Sequence, residues 1–483
     1  MSSSAKRSQD LSTETAYYAI AMVFSGLVQV AFLPFMSHFL TPEAIGEFGV
    51  LRTIAEVIAG IVVLGLPTGI IRAWQQTDAH RSILKRAILL PAIPALIMSL
   101  LIFILHTKLE FFLHIENSEY LLHALLLGIA VAIVQIVLSM PRAQGLAKTY
   151  FALQLVRGVA ALGLLGVFLY FLPTENRFSL PPISVFLTAR WLPAFAVMIA
   201  TVGMMWKMTI PSAKIKVPGK LTGSMLAFSL PLIPTSLALI VLSSADMFML
   251  RSILPNDLAA SGYYEWANRA CLILMPAILG FNMAWKRFIF RKREEGGTSN
   301  ELGRAGLLFM IAVYWMAVVL AMASPEIVIL VGGEQYMEAA GVIPILAGAT
   351  ALYGLFLISQ TGCLLTGQTK FIAWMALIGA ILNIGLNLTF IPTAGALGAG
   401  FATLLTNVFM AASLFWLGRK EFPFSNLVVA LLAILPVTFY PLALQSSLWR
   451  TLTIVGATSV SIVAAGILIR NGSSFITRDY NDS

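Results

Sequence analysis

Long apolar runs, divided by short polar stretches, occupy most of the chain. A run of about 20 helical residues rises about 30 Å, the thickness of the hydrocarbon core of a bilayer. Because backbone N–H and C=O groups find no water there, each run should be a helix. The pattern predicts an all-α polytopic membrane protein with fourteen spans, near residues 16–40, 45–70, 85–106, 120–140, 150–172, 182–206, 224–250, 259–284, 305–331, 340–366, 371–391, 395–417, 425–444 and 451–469.

Composition agrees with this pattern, and charge adds an orientation. The 483 residues are 59% hydrophobic and only 11% charged, whereas a soluble domain carries about 25% charged residues. With fourteen spans, 24 of the 31 lysines and arginines lie on the side of the two termini, four lie on the opposite side and three arginines lie inside spans. The positive-inside rule then predicts that both termini are cytoplasmic. The net charge of +9 reflects this orientation, so no nucleic-acid partner is expected.

The two halves of the chain share short motifs at matching places. Gly145-Leu146-Ala147-Lys148 precedes the fifth span and Gly367-Gln368-Thr369-Lys370 the eleventh, while Pro173-Thr174 and Pro392-Thr393 follow those spans. A repeat after six spans keeps its orientation, which predicts two parallel, pseudo-symmetric six-helix lobes about a central cavity. The alternative is that turn residues recur by chance at helix ends.

The predicted organisation follows from the spans and the repeat. It comprises a cytoplasmic N-terminal tail at 1–15, an N-lobe at 16–206, a basic cytoplasmic linker at 207–223, a C-lobe at 224–417, two further C-terminal helices at 425–469 and a cytoplasmic C-terminal tail at 470–483. In the seventh span Pro231 and Pro234 are candidate hinges, because proline frees backbone groups, although membrane helices also tolerate proline without a functional role.

A few charged residues inside the spans are the candidate site. Each costs about 2.5–3.5 kcal/mol at a helix centre, so such groups normally face a wet cavity or a partner. Two pairs are four residues apart and therefore share a helix face, one on the second span and one on the eighth. Together with one arginine on the sixth span and one aspartate on the seventh, the candidates are Arg52, Glu56, Arg190, Asp246, Glu265 and Arg269.

These charges have two interpretations. Each Arg–Glu pair could neutralise itself and only hold helices together. Alternatively the guanidinium groups could bind an anionic head group, because arginine recognises phosphate with two parallel hydrogen bonds. The acidic neighbours would then moderate affinity or bind a coupling proton or Na⁺. The sequence has no Walker A, HExxH or GxSxG motif, so we expect a transporter without a cofactor rather than an enzyme.

Motifs in a fixed order along the chain resemble the polysaccharide transporter family. This family comprises the O-antigen and capsule flippases of the multidrug/oligosaccharidyl-lipid/polysaccharide (MOP) superfamily. The segments that carry the resemblance are Phe39-Leu40-Thr41-Pro42-Glu43, Ser229-Leu230-Pro231-Leu232-Ile233-Pro234, Gly262-Tyr263-Tyr264, Trp285-Lys286-Arg287-Phe288, Thr366-Gly367-Gln368-Thr369-Lys370 and Asn383-Ile384-Gly385-Leu386-Asn387. Where members commonly have Asp-Arg in the seventh span this chain has Asp246-Met247, so a role for that arginine does not carry over.

The resemblance implies a multi-pass protein of a bacterial inner membrane with a cationic lumen. The implied cargo is an undecaprenyl-pyrophosphate-linked oligosaccharide that moves from the cytoplasmic to the periplasmic leaflet, with Arg52 and Arg269 at its pyrophosphate. Membrane lipids, a polysaccharide polymerase and glycosyltransferases of the same pathway are the implied partners. The alternatives are a multidrug exporter of the superfamily, a lipid II-type flippase, and a membrane-embedded polymerase or ligase. The last of these would need a large periplasmic loop, and the longest predicted one, about 107–119, is short.

Overall fold

The computed structural model describes residues 3–171, 182–209, 221–230, 233–294 and 299–419. The chain divides into two compact units, Met1–Glu265 and Trp266–Ser483. We call Met1–Glu265 the first unit and Trp266–Ser483 the second unit. The predicted lobe boundary at 207–223 stays a prediction.

The first unit consists of helices in its described part. They are α1 (Ser3–Phe39), α2 (Pro42–Val62), α3 (Leu66–Gln76), α4 (His80–Leu89), α5 (Ala92–Leu113), α6 (Glu119–Ala143), α7 (Ala147–Phe171), α8 (Pro182–Met208), α9 (Leu221–Ser229), α10 (Ile233–Ile253) and the beginning of α11 (Ala259–Cys271). Helices α6, α7 and α8 each follow a predicted span to within a few residues at both ends, whereas α1 begins before its predicted span and other predicted spans are divided between two helices.

Helix α6 lies at the centre of this unit and α5 at its edge. The former packs against α2, α3 and α8, and small residues such as Gly128 allow the close approach, since a Cβ there would lie 2.7 Å from the carbonyl oxygen of Ala55. In contrast, Leu96, Phe103 and Phe111 of α5 are 72%, 74% and 85% exposed. Apolar side chains are stable in contact with lipid, so we expect this exposed face of α5 to lie against the bilayer.

Local chemistry sets both ends of α2. Thr41 caps the N-terminus by accepting a hydrogen bond from the Ala44 N–H, and Pro42 occupies the first turn, where its missing N–H costs nothing. The helix ends where Leu64 and Gly65 adopt positive φ angles of 49° and 62°. The predicted span 45–70 is therefore broken into α2 and α3 at Gly65, whose glycine permits this conformation.

The second unit continues α11 and adds six helices in its described part. They are α12 (Met275–Glu294), α13 (Ser299–Met322), α14 (Ser324–Ile327), α15 (Ala339–Ser359), α16 (Thr361–Leu365) and α17 (Thr369–Gly418). Helix α15 is the most enclosed of them and packs against α13 and α17. Helix α17 contains one non-helical residue, Gly395, with φ 54° and ψ −129°.

Ten helices in the described residues are long and apolar enough to cross a membrane. One of these, Lys370–Gly418, has 49 residues, about twice the length that a bilayer needs. It covers the two predicted spans 371–391 and 395–417, which meet at Gly395. The predicted span 224–250 is represented by α9 and α10, and the spans at 425–444 and 451–469 lie outside the described residues. The protein is thus an all-α polytopic membrane protein, while fourteen spans stay a prediction.

Candidate functional site

Arg52 and Glu56 contact each other on α2, as their spacing predicts. The Nη1 group of Arg52 donates a hydrogen bond to Oε1 of Glu56 one helical turn later. The second carboxylate oxygen of Glu56 accepts a hydrogen bond of 3.1 Å from the hydroxyl of Ser244 on α10. Ser244, a residue that the sequence analysis did not select, therefore belongs to the candidate site.

The same guanidinium also binds a second carboxylate, on α11. The Nε and Nη2 groups of Arg52 donate to the two oxygens of Glu265, each over 3.2 Å. The sequence pattern pairs Glu265 with Arg269, because a spacing of four residues is visible in a sequence; a contact between α2 and α11 is not. The side chain of Glu265 is fully buried and that of Arg52 is 13% exposed.

Glycines on both helices explain how α11 comes this close to α2. A Cβ at Gly262 would lie 1.8 Å from the carbonyl oxygen of Pro42, and a Cβ at Gly46 would lie 2.0 Å from the hydroxyl of Ser261. At Gly49 a Cβ would lie 3.1 Å from Cγ of Glu265. The two backbones therefore meet at the start of α2, and the missing side chain at Gly49 leaves space for Glu265.

The other acidic candidate of the first unit, Asp246, is held by a tyrosine. Asp246 is buried on α10 and accepts a hydrogen bond from the hydroxyl of Tyr264 on α11. Tyr264 belongs to the Gly262-Tyr263-Tyr264 motif, which the sequence analysis noted only for its family resemblance. Its contact with Asp246 gives that motif a structural role.

Arg190 lies half-buried on α8, and its guanidinium carbon is 6.0 Å from the ring centre of Phe48. This distance is at the outer limit of a cation–π contact. Phe48 belongs to α2, the helix that carries Arg52, so α2 carries one of the two candidate arginines of the first unit and contacts the other.

The remaining candidates fall elsewhere. Arg269 is buried in the second unit, and its predicted role beside Arg52 stays a prediction. Pro234 is the second residue of α10, where proline is tolerated because the first helical N–H groups have no partner in the helix. Pro231 lies outside the described residues, so the proposed hinge is not described.

A second buried arginine ties together backbone segments of the first unit. Arg251 of α10 is 1% exposed and donates to the carbonyl oxygens of Leu113, His114 and Glu43 at 2.7, 2.6 and 3.1 Å. Beside it, the buried carboxylate of Glu47 accepts a hydrogen bond of 2.8 Å from the N–H of Glu116. In the sequence Arg251 directly follows the predicted span 224–250, and its burial is a consequence of the fold.

The fold of the chain is similar to that of solved membrane proteins. The chain is similar to the lipid II flippase MurJ in an inward closed conformation, with a TM-score of 0.67 and 14% identity over 94% of this chain and 99% of that one. It is also similar to a multidrug resistance MATE family transporter of the MOP superfamily in its inward-facing conformation, with a TM-score of 0.62 and 15% identity over 83% and 94%. The chain shares the fold of these polytopic transporters.

A sequence match then identifies the family. Residues 11–286, more than half of the chain, match the family described as "Polysaccharide biosynthesis protein". The chain belongs to this family, as the resemblance of its motifs implied. The matched region contains all six charged candidates. Among curated proteins, none matches the sequence.

Proposed function

We propose that the protein is a flippase for undecaprenyl-pyrophosphate-linked oligosaccharides. It carries this cargo from the cytoplasmic to the periplasmic leaflet of a bacterial inner membrane by alternating access, coupled to the movement of H⁺ or Na⁺. Membership of a polysaccharide biosynthesis family and a transporter fold support the general activity. The cargo is glycan of an O-antigen or capsule, supplied by glycosyltransferases and passed to a polymerase.

The observation that carries the proposal is the placement of Arg52. Its charge lies inside a bundle of membrane helices, oriented by a fully buried carboxylate and contacted on its other edge by the 38% exposed Glu56. If Arg52 only joined α2 to α11, its contact with Glu265 would be enough, and the partly exposed Glu56 would not be needed. An oriented guanidinium suits a phosphate group, which it binds with two parallel hydrogen bonds.

Two other cargoes are the competing possibilities. Similarity to a MATE family transporter favours a multidrug exporter, and similarity to MurJ favours lipid II as the cargo. A cationic drug would be repelled by Arg52 and attracted by the carboxylates, whereas both lipid-linked cargoes carry a pyrophosphate. The cluster of Arg52, Glu56 and Glu265 offers a group for either charge, so it does not by itself separate drugs from lipids; Arg52 is the group that favours the lipid-linked cargoes.

Reconstitution into liposomes tests the proposal directly. The measured quantity is the rate at which a fluorescent undecaprenyl-pyrophosphate oligosaccharide becomes accessible to a membrane-impermeant quencher. We expect this rate to be higher with the purified protein than in empty liposomes. With the protein present, it should also be higher than the rate for fluorescent lipid II. Export of a cationic dye without movement of the saccharide lipid would contradict the proposal. Mass spectrometry of the recovered lipid should show an unaltered glycan, because the protein is proposed to transport and not to react; extension or cleavage would make it an enzyme.

A further inference from the structure

The two carboxylates hold Arg52 in different ways. Glu265 takes the edge formed by Nε and Nη2, with one oxygen for each N–H group at 3.2 Å. Glu56 meets only Nη1, with a single oxygen, and gives its other oxygen to Ser244. A guanidinium has a second paired edge, formed by Nη1 and Nη2, and this is the edge that Glu56 occupies incompletely.

Burial separates the two carboxylates further. Glu265 is fully buried, while the side chain of Glu56 is 38% exposed. A buried carboxylate cannot leave its partner without a large desolvation cost. Glu56 can turn away at a lower cost, because its side chain is partly exposed and the hydroxyl of Ser244 binds one of its oxygens.

Charge gives a reason for such a movement. One guanidinium between two ionised carboxylates has a formal charge of −1, which repels a diphosphate. If Glu56 leaves, Arg52 and Glu265 remain neutral as a pair and the second guanidinium edge becomes available. A diphosphate oxygen can then take the place of the Glu56 oxygen at Nη1 of Arg52, since both oxygens accept charge-assisted hydrogen bonds.

We infer that Glu56 occupies the place of the diphosphate on Arg52 in the empty protein and is displaced when cargo binds, whereas Glu265 stays and positions the guanidinium. The inference rests on the proposed function for the identity of the anion. It also explains release: Glu56 competes for Arg52 at every encounter, so cargo is held without being trapped. Ser244 is the residue that holds the displaced carboxylate.

Equilibrium binding of inorganic pyrophosphate to the full-length protein in lipid nanodiscs tests this exchange. Glu56→Gln keeps the size of the side chain and removes its charge, so we expect affinity for pyrophosphate to rise about tenfold, the value of one charge-assisted hydrogen bond. Glu265→Gln should lower affinity about tenfold, because the guanidinium loses its orienting partner. Glu119→Gln is the matched control: Glu119 is exposed at the start of α6, and its neutralisation should leave affinity unchanged.

Three results would overturn the inference. The first is that Glu56→Gln binds pyrophosphate no more tightly than the unaltered protein does. The others are an unchanged affinity in Glu265→Gln, and no binding of pyrophosphate by either the unaltered protein or Glu56→Gln. If Glu265→Gln does not fold, Glu56→Gln and Glu56→Ala decide the matter, since Glu56 is partly exposed. A flipping assay on the same preparations keeps the two proposals apart. Flipping without tighter binding by Glu56→Gln rejects the exchange alone, whereas tighter binding without flipping of a saccharide lipid rejects the proposed function alone.

Discussion

At the scale of single residues, Arg52 combines properties that sequence and structure supply separately. Its position inside an apolar run makes it costly unless it has a partner, and Glu56 one turn later is the partner that the sequence predicts. Glu265 is the partner that the fold adds. The arginine is therefore both stabilised and oriented, which a group that binds cargo requires.

Removal of the guanidinium should abolish most transport. For Arg52→Ala we expect flipping to fall by a factor of about 10–100, because a hydrogen bond to a charged group contributes about 1.5–3 kcal/mol. Arg52→Lys should restore only part of the rate, since lysine is a point charge without a planar fork. The measurements are the liposome assay and surface polysaccharide in cells that express each variant at equal level.

The helix-locking alternative makes the opposite prediction for combined changes. If Arg52 only neutralised its neighbours, a variant in which Arg52, Glu56 and Glu265 are all neutral should recover the function lost in Arg52→Ala, because neither carboxylate is then left without its counter-charge. Normal polysaccharide display by an Arg52→Ala, Arg269→Ala double variant would also exclude the proposed site.

Arg251 has a structural role, in our interpretation, and its loss should lower stability without altering cargo recognition. In Arg251→Met three carbonyl oxygens lose their donor, and leaving a buried acceptor unsatisfied costs about 1–3 kcal/mol. Thermal unfolding can be followed with a thiol-reactive dye, because Cys271 and Cys363 are both buried. Lys108→Met, at an exposed position of α5, should unfold as the unaltered protein does.

At the scale of elements, the contact between α2 and α11 depends on the absence of side chains. In Gly262→Ala the new Cβ would meet the Pro42 carbonyl oxygen at 1.8 Å, so the helices must separate; overpacking of this kind costs about 1–3 kcal/mol. We expect a lower unfolding temperature and reduced flipping, since Glu265 moves away from Arg52. Gly203→Ala on α8, where a Cβ has open space, should be neutral or slightly stabilising; equal effects at both glycines would contradict this account.

Some elements follow from the sequence alone and others do not. Spans such as 120–140 and 150–172 agree with α6 and α7 because an apolar run of bilayer length leaves helix as its single option. In the sequence the break at Gly65 corresponds only to a glycine two positions before Pro67, and this pattern fits close helix packing as well as a bend. The pairing of Arg52 with Glu265 joins residues 213 positions apart, and no local spacing rule reaches that far.

At the scale of the whole molecule, orientation is the prediction with the most direct test. Ser118 lies between α5 and α6 and Asp78 between α3 and α4, both exposed. With cytoplasmic termini, a membrane-impermeant maleimide added to intact cells with a permeable outer membrane should label Ser118→Cys but not Asp78→Cys. The native cysteines are buried and give little background. The reverse labelling pattern would invert the orientation inferred from the 24 basic residues of the terminal side.

The distance along the chain between Arg52 and Glu265 has a consequence for biosynthesis. A ribosome adds about 5–20 residues per second, so on the order of ten seconds or more separate the synthesis of the arginine from that of its buried partner, 213 residues later. During this interval α2 enters the bilayer with Glu56 as its own counter-charge. Glu56, which cargo displaces in the finished protein, would thus first neutralise Arg52 while α2 inserts into the membrane. Pulse-labelled Glu56→Gln chains should insert less efficiently than Glu265→Gln chains, although Glu265 is the more deeply buried of the two.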